Sequence, residues 1–483
     1  MTLAASGDTA ATLGDTTPIP RRRIVAWALW DWGSAAFNAV VTTFVFSTYL
    51  ASSSFVSPAI VAAAGSDASN AALVAAKSHN ATVISTALTI AGVLVALLAP
   101  ILGQRSDGSG RRKLWLGINS GVLVLVMAAM VFVAPAPRYL LLGATLIAVG
   151  NLVFEFASVN YNAMLVQVST PKTVGRVSSW GWGAGYLGGI VLLIILLVLF
   201  LQSFGVTGTT GLLGLASTPA GGVWSVRIAI LVSAVWFGAF AIPLMLSVPE
   251  IPRHDAAGAP SGADTDAAAV PVKRPRVSII ASYRRLIATI VSLYRKNPQV
   301  LLFLVASAVF RDGIAAVFTF GAIIAAQVFG FTPSEVIYFA VAANVMAGIG
   351  AFAAGSLDDR LGARAIILTS LGGLVLAAVA ILFVGHAQIG FWIIGLFLSL
   401  FVGPAQSASR SFLARVTPAG REGEIFGLYA TTGRAVSFLA PALFTVFVAV
   451  TGDTRYGAIG IAIVLLAGFV LMLRVRGTQT AID

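Results

Sequence analysis

The sequence predicts an all-α membrane protein whose twelve transmembrane helices form two six-helix bundles. Three observations carry that reading: twelve apolar runs of spanning length, cations concentrated on alternate connections, and one polar motif recurring at the same place in each half. Of 483 residues, 58% are hydrophobic and only 10% charged, and the mean hydropathy is +0.94. A water-soluble chain of this length needs far more charge to cover its surface, so lipid is the solvent these side chains fit. In a soluble protein the net charge of +12 would suggest nucleic acid. Spread between apolar spans it reads as a topology signal instead, and no nucleic-acid partner is expected. Cys is absent, which excludes disulfides, thiolate metal sites and cysteine nucleophiles.

Residues 1–23 read as a cytoplasmic N-terminus, rich in Ala, Thr, Gly and Pro through residue 20 and expected to be disordered. Arg21, Arg22 and Arg23 close it, and the apolar run that follows is too long for a signal-peptide core. Spanning helices are expected near 24–50, 81–103, 114–134, 138–166, 178–202 and 224–247, a first bundle over 24–249. A cytoplasmic linker over 250–297 separates it from a second bundle over 298–474, and 475–483 form a cytoplasmic tail. The second set of spans lies near 299–328, 333–355, 364–385, 388–414, 424–449 and 456–473.

With the N-terminus inside, the inner connections hold Arg105, Arg111, Arg112, Lys113, Lys172, Arg176, Arg360, Arg364, Arg415, Arg421, Arg474 and Arg476, besides eight cations in the linker. The outer side holds Lys77, Arg138 and Arg455, with Arg227 at a helix mouth. That bias fits an even number of spans with both termini in the cytoplasm. Within the linker, 251–275 is rich in Ala, Gly and Pro and reads as flexible. Residues 277–296 alternate Ile, Val and Tyr with Arg284, Arg285, Arg295 and Lys296, an amphipathic basic helix suited to the anionic inner leaflet, or else the start of the seventh helix.

The polar motif runs from Gly103 through Asp107, Gly110 and Arg112 after the second helix. It recurs at Gly355, Asp359, Gly362 and Arg364 after the eighth. Two copies in register, each at the same point of a six-helix half, indicate parallel repeats. The glycines suit a tight turn. Asp107 and Asp359 suit capping of a helix N-terminus, and Arg111, Arg112 and Arg364 suit pairing with them, a latch on the cytoplasmic helix ends. Arg410, near the inner end of its helix, is grouped with these residues.

The motif resembles the signature of the major facilitator superfamily, and the chain from about Trp27 to Thr451 resembles that superfamily as a whole. Trp27-Ala28-Leu29-Trp30-Asp31-Trp32-Gly33-Ser34, Gly175-Arg176-Val177-Ser178, Gly185-Tyr186-Leu187-Gly188-Gly189, Phe310-Arg311-Asp312-Gly313, Gln406-Ser407-Ala408-Ser409-Arg410-Ser411 and Phe426-Gly427-Leu428-Tyr429 resemble its vacuole-effluxer-like branch. That branch includes autophagy-related vacuolar amino-acid exporters of fungi. The resemblance implies a twelve-helix alternating-access transporter exporting amino acids or related metabolites.

An unpaired charge at the bilayer centre costs at least about 2.5–3.5 kcal/mol, so ionisable residues inside spans are functional candidates. Asp31, Glu155 and Asp312 are read as bordering a central cavity and taking up protons, since a partly dry site favours a neutral carboxyl. Arg311 and Arg434 suit a substrate carboxylate, held bidentately. The alternative is that these acids and arginines pair and hold the bundle together. Arg311 and Asp312 point about 100° apart and cannot face one partner. Trp30, Asn38, Asn160 and Gln406 are weaker candidates for the path, with Asn151, Asn162 and Asn344 beside them. Gly181, Gly185 and Gly189, with Gly348 and Gly350, are expected between the fifth and eighth helices.

The leading function is proton-coupled efflux of small polar metabolites, amino acids first, from a monomer in a bacterial plasma membrane. Export of amphipathic drugs or peptides, or solute uptake, competes within transporters. A membrane receptor or an intramembrane enzyme competes from outside them, although neither a HExxH nor a GxSxG motif is present. No cofactor is expected, and the absence of a Walker-type loop argues against ATP drive.

Overall fold

The computed structural model describes residues 18–65, 67, 69–201, 211–215, 218, 221–250, 279–384 and 387–476. Residues 1–17 of the segment expected to be disordered, the linker over 251–275 expected to be flexible, and the end of the tail from 477 lie outside them. Among the described residues every regular element is a helix. In lipid each backbone amide must find its partner within the span, and the helix meets that demand locally.

Twelve helices are long and apolar enough to cross a membrane. Helices 1 to 6 are Arg21–Ala51, Ala71–Ser109, Arg112–Phe132, Pro137–Ala163, Val174–Phe200 and Trp224–Ser247. Helices 7 to 12 are Pro298–Gln327, Glu335–Leu361, Ala363–Phe383, Gln388–Val416, Glu422–Thr451 and Thr454–Arg474. Each overlaps a predicted span. Their ends follow local chemistry: Asn70 accepts from the amides of Ala72 and Leu73, and Thr332 with Glu335 forms a capping box. Helices 1 and 11 are irregular within their spans, and helix 5 ends in a π segment over Leu197–Leu201. Helix 1 adopts π geometry over Ala36–Val45, where the carbonyl of Asn38 accepts from the hydroxyls of Thr42 and Thr43. Helix 11 breaks between Val436 and Leu439, with Pro441 in the first turn of its second segment.

The linker helix, Ile279–Lys296, is a separate element, turned from helix 7 at Asn297. It packs on helix 2, where the Tyr283 hydroxyl donates to the Leu97 carbonyl (3.0 Å), and Arg421 donates to Thr289 (3.1 Å).

The repeated motif is not the loop the sequence suggested. Residues 103–109 and 355–361 are the last turns of helices 2 and 8, and only Gly110 (φ 66°) and Gly362 (φ 87°) make the turn. Gly103 and Gly355 permit close packing instead. A Cβ at 103 would strike the backbone of Gly423, and one at 355 would lie 2.8 Å from Ser179 Cβ. Helix 2 thereby meets helix 11, and helix 8 meets helix 5, joining the two halves at the end that carries both motifs.

Each aspartate caps a helix of the opposite half. Asp107 accepts from the amides of Gly423 (2.9 Å) and Glu424 (2.8 Å) at the start of helix 11. Asp359 accepts from Gly175 (2.8 Å) and Arg176 (3.2 Å) at the start of helix 5. A carboxylate on exposed helix amides meets both a donor pair and the positive end of the dipole. Buried Arg112 bridges Asp107 (2.7 Å) and Glu422. Arg415 does the same for Asp358 (2.5 Å) and Asp359 (3.4 Å). Arg364 takes no part, contrary to expectation. It donates to the carbonyls of Val475 and Leu473, cations suiting a helix C-terminus. Arg111 is exposed at the start of helix 3.

The glycines of helix 5 also depart from expectation. Gly181, Gly185 and Gly188 face helix 1, and Gly350 meets Leu400 of helix 10, whereas Gly183 and Gly348 lie at the contact of helices 5 and 8. Losing one such cap between the halves should cost about 1–2 kcal/mol. Asp107→Ala together with Asp359→Ala should therefore shift the population at least about tenfold away from the latched form. With no native cysteine, spin labels at Ser109→Cys and Ala419→Cys report it, and an unchanged distance distribution would remove the aspartates from the latch.

Candidate functional site

Above the latches a cavity of about 540 Å³ lies between the halves. Asp31, Arg410, Tyr161 and Trp182 lie at its latch side, and the exposed residues Asn38, Thr43 and Ile337 line its other end. The cavity is thus closed toward the basic helix ends and open opposite them.

Arg410 forms the floor rather than part of the latch pairs. Its guanidinium donates to Asp31 Oδ2 (3.1 Å), Asn162 Oδ1 (3.2 Å), Ser178 Oγ (3.0 Å) and the Ser178 carbonyl (2.6 Å). Its charge lies 4.8 Å from the Trp27 ring centre, and Tyr161 and Trp182 complete an aromatic collar at 5.6 Å each. The collar is itself stacked, with the Tyr161 ring 4.5 Å from Trp27 and 4.3 Å from Trp30. Trp30 donates its indole N–H to Ser120 (3.0 Å), so only part of the ring faces the cavity. The Asp31 side chain keeps 19% of its surface exposed against 4% for Arg410, so the acid is the wet member of the pair.

On the wall, Glu155 of helix 4 pairs with Arg434 of helix 11, and Asn151 accepts from the same guanidinium (3.3 Å). Arg311 lies 3.9 Å over the Tyr429 ring and donates to the Tyr429 carbonyl (3.1 Å). Among the described residues it pairs with no carboxylate. Asn162, Asn344 and Gln406 also line the space.

Two candidates lie elsewhere. Asp312 accepts from the amide of Ala440 (2.7 Å), capping the second segment of helix 11, and its carboxylate is committed to that break. Asn160 is buried and donates to the Phe156 carbonyl (2.9 Å) within its own helix. The sequence reading missed Tyr161 entirely and gave Tyr429 no role, although Tyr429 closes the Phe426–Tyr429 run singled out above. A smaller apolar chamber of about 70 Å³ within the second bundle shares Phe318 and Ala340 with the cavity. Among the described residues no group of three or more His, Cys, Asp or Glu could hold a metal ion.

Gly181 makes room for this floor. A Cβ there would lie 2.6 Å from Arg410 Nη2, 2.7 Å from Trp27 and 2.9 Å from Asp31 Oδ2. Gly181→Val should destabilise the protein by about 1–3 kcal/mol through overpacking. The effect should show as a lower melting temperature in detergent. An unchanged melting temperature would mean the floor is loose.

A family model described as vacuole effluxer Atg22 like matches residues 20–481. An uncharacterised MFS-type transporter, YxiO of Bacillus subtilis, is 25% identical over 449 residues, covering 92% of this chain and 93% of that protein. Autophagy-related protein 22 of Cryptococcus neoformans is 26% identical over 330 residues, 64% of this chain and 55% of the relative. The chain thus matches about half the length of such fungal relatives. Among solved structures, the transporter FucP in its outward conformation superposes with a TM-score of 0.60 at 15% identity, covering 95% of this chain and 99% of that one. The proton:xylose symporter XylE superposes at 0.67 and 11%, covering 95% and 96%. These are transporters rather than enzymes, and the likeness extends over the whole described bundle. With its twelve helices, paired motifs and central cavity, the chain belongs to the vacuole effluxer Atg22-like family of major facilitator superfamily transporters.

Proposed function

We propose that the protein is a proton-coupled secondary transporter that exports amino acids or related small polar metabolites by alternating access. The observation that carries this reading is the cavity between the halves, closed by latches at one end and holding acid–arginine pairs that bridge the halves. The excess of cations at the latch end supports placing that end, and both termini, in the cytoplasm of a bacterial plasma membrane. The cavity in this state then faces outward.

Asp31 is the proton site in this scheme. Ionised, it holds Arg410 and helps keep the latch end shut. Protonated, it releases one of the acceptors that bind Arg410 to the first half, and the latch end can part. Glu155 and Arg434 form the second bridge and break with it, since each sits in a different half. Arg311, paired with no acid among the described residues and braced on Tyr429, supports binding of a substrate carboxylate. Asp312 is left out of the coupling group because its carboxylate caps Ala440.

A second reading, export of an amphipathic organic solute, is favoured by the apolar chamber beside Phe318 and Ala340, which would take an apolar arm. Proteoliposomes with an imposed proton gradient and a panel of labelled amino acids and amphipathic organic anions and cations separate the two.

Asp31→Asn should abolish gradient-driven flux while retaining substrate exchange, whereas Asp312→Asn keeps an acceptor for Ala440 and should retain both. Full proton-driven flux in Asp31→Asn would remove Asp31 from coupling. Arg311→Gln should raise KM for a carboxylate substrate roughly tenfold or more, the worth of a charge-assisted hydrogen bond. A KM unchanged for every transported carboxylate would place the anion site elsewhere.

A further inference from the structure

The linker helix divides its surface into three sectors. At about 100° per residue, Ser282, Leu286, Thr289 and Leu293 share one face, and all four are buried against the protein. Ile280, Ile287, Val291 and Tyr294 share a second face roughly 140° away. They are 72%, 60%, 44% and 69% exposed, a stripe of large apolar side chains that the described residues leave largely uncovered. Ala288, Arg284, Arg285, Arg295 and Lys296 occupy the remaining arc, all exposed. The helix carries four cations and no acid. Among the described residues none of these cations meets a carboxylate.

A helix with protein on one side, an apolar stripe on the second and cations on the third fits one surroundings: it lies along the membrane surface beside the bundle. Arg284 and Arg295 border the apolar stripe, where long side chains reach headgroup phosphates while their stems stay in the apolar layer. Tyr294 suits the same boundary.

We propose that anionic phospholipid headgroups of the leaflet at the latch end bind the edge formed by Arg284 and Arg295, and that this lipid contact strengthens the closure of helices 2 and 11. The second step follows from what the buried face touches. The helix is tied to helix 2 of the first half through Tyr283 and Leu97, and to Arg421 of the second half through Thr289. Arg421 in turn meets Glu424 (3.6 Å), next to the amides that Asp107 caps. Parting of helices 2 and 11 must break one of these two ties. A lipid layer that pins the helix in place opposes that parting without touching the cavity.

The test uses the full chain, whose lack of cysteine allows single labels. In phosphatidylcholine vesicles with and without phosphatidylglycerol, a fluorophore at Ile287→Cys should be quenched by a nitroxide on the lipid chain. One at Ala288→Cys should be quenched by a water-soluble agent instead. Arg284→Gln with Arg295→Gln should lower the retention of phosphatidylglycerol over phosphatidylcholine, measured by native mass spectrometry, roughly fivefold per arginine. The Ser109–Ala419 label pair should shift toward the latched distance with phosphatidylglycerol in the parent and not in the double variant. If Ile287 is shielded from the lipid quencher, another part of the chain or a second copy covers the stripe and the proposal falls. Equal phosphatidylglycerol retention in parent and variant removes the headgroup site. Retention lost with the distance unchanged removes the coupling to the latch.

Discussion

A guanidinium taken out of water must be surrounded by acceptors, and Arg410 finds its acceptors across the molecule. The residue sits on helix 10 of the second half, while Asp31, Asn162 and Ser178 all belong to the first. Breaking one partner away from a buried charge costs far more than the pair contributes on balance. The two halves are therefore bound at this point by a shared obligation rather than by apolar contact. Everything nearby serves that constraint. Gly181 leaves the space, Trp27 and Tyr161 present ring faces, and the latches hold the helix ends at the spacing the contact requires.

The two latches show how a duplicated half can keep a geometry while changing its chemistry. Asp107 and Asp359 cap equivalent helices across the interface, in equivalent registers. Around Asp107 the acids lie on the capped helix, at Glu422 and Glu424. Around Asp359 the extra acid, Asp358, lies on the capping helix and is held by Arg415 and Ser411. The backbone relationship persists because glycine stands in the first turn of both capped helices: at 423 it leaves room for Asp107 itself, and at 175 for Asp358 beside the capping aspartate. The charges beside it are free to differ.

The twelve spans were legible in the sequence because each is a long apolar run, and the latch aspartates because they occur twice. The floor was not, since Arg410 meets residues 379 and 232 positions away, and no local spacing announces such a contact. Helix geometry did separate Arg311 from Asp312, and the structure sends one to the cavity and the other to the break in helix 11. Which went where depended on that break, whose local signal is Pro441. The repeated motif was found, yet the reading of its first glycine as a turn failed. A glycine beside polar residues suits a turn equally well as a place where two backbones touch, and only the partner at Gly423 distinguishes them.

The π stretch of helix 1 has a mechanical meaning of its own. A wide turn holds a surplus residue relative to an α turn, so Ala36–Val45 stores extra chain in the middle of the bundle. Returning one such turn to α geometry shifts the register of everything beyond it, re-aiming Asn38 and Thr43 by about one residue's rotation, roughly 100°. The threonine hydroxyls that bond to the Asn38 carbonyl soften the cost of moving that surplus along the helix. The open end of the cavity is thus lined by a segment that can turn its polar groups without sliding the helix as a whole.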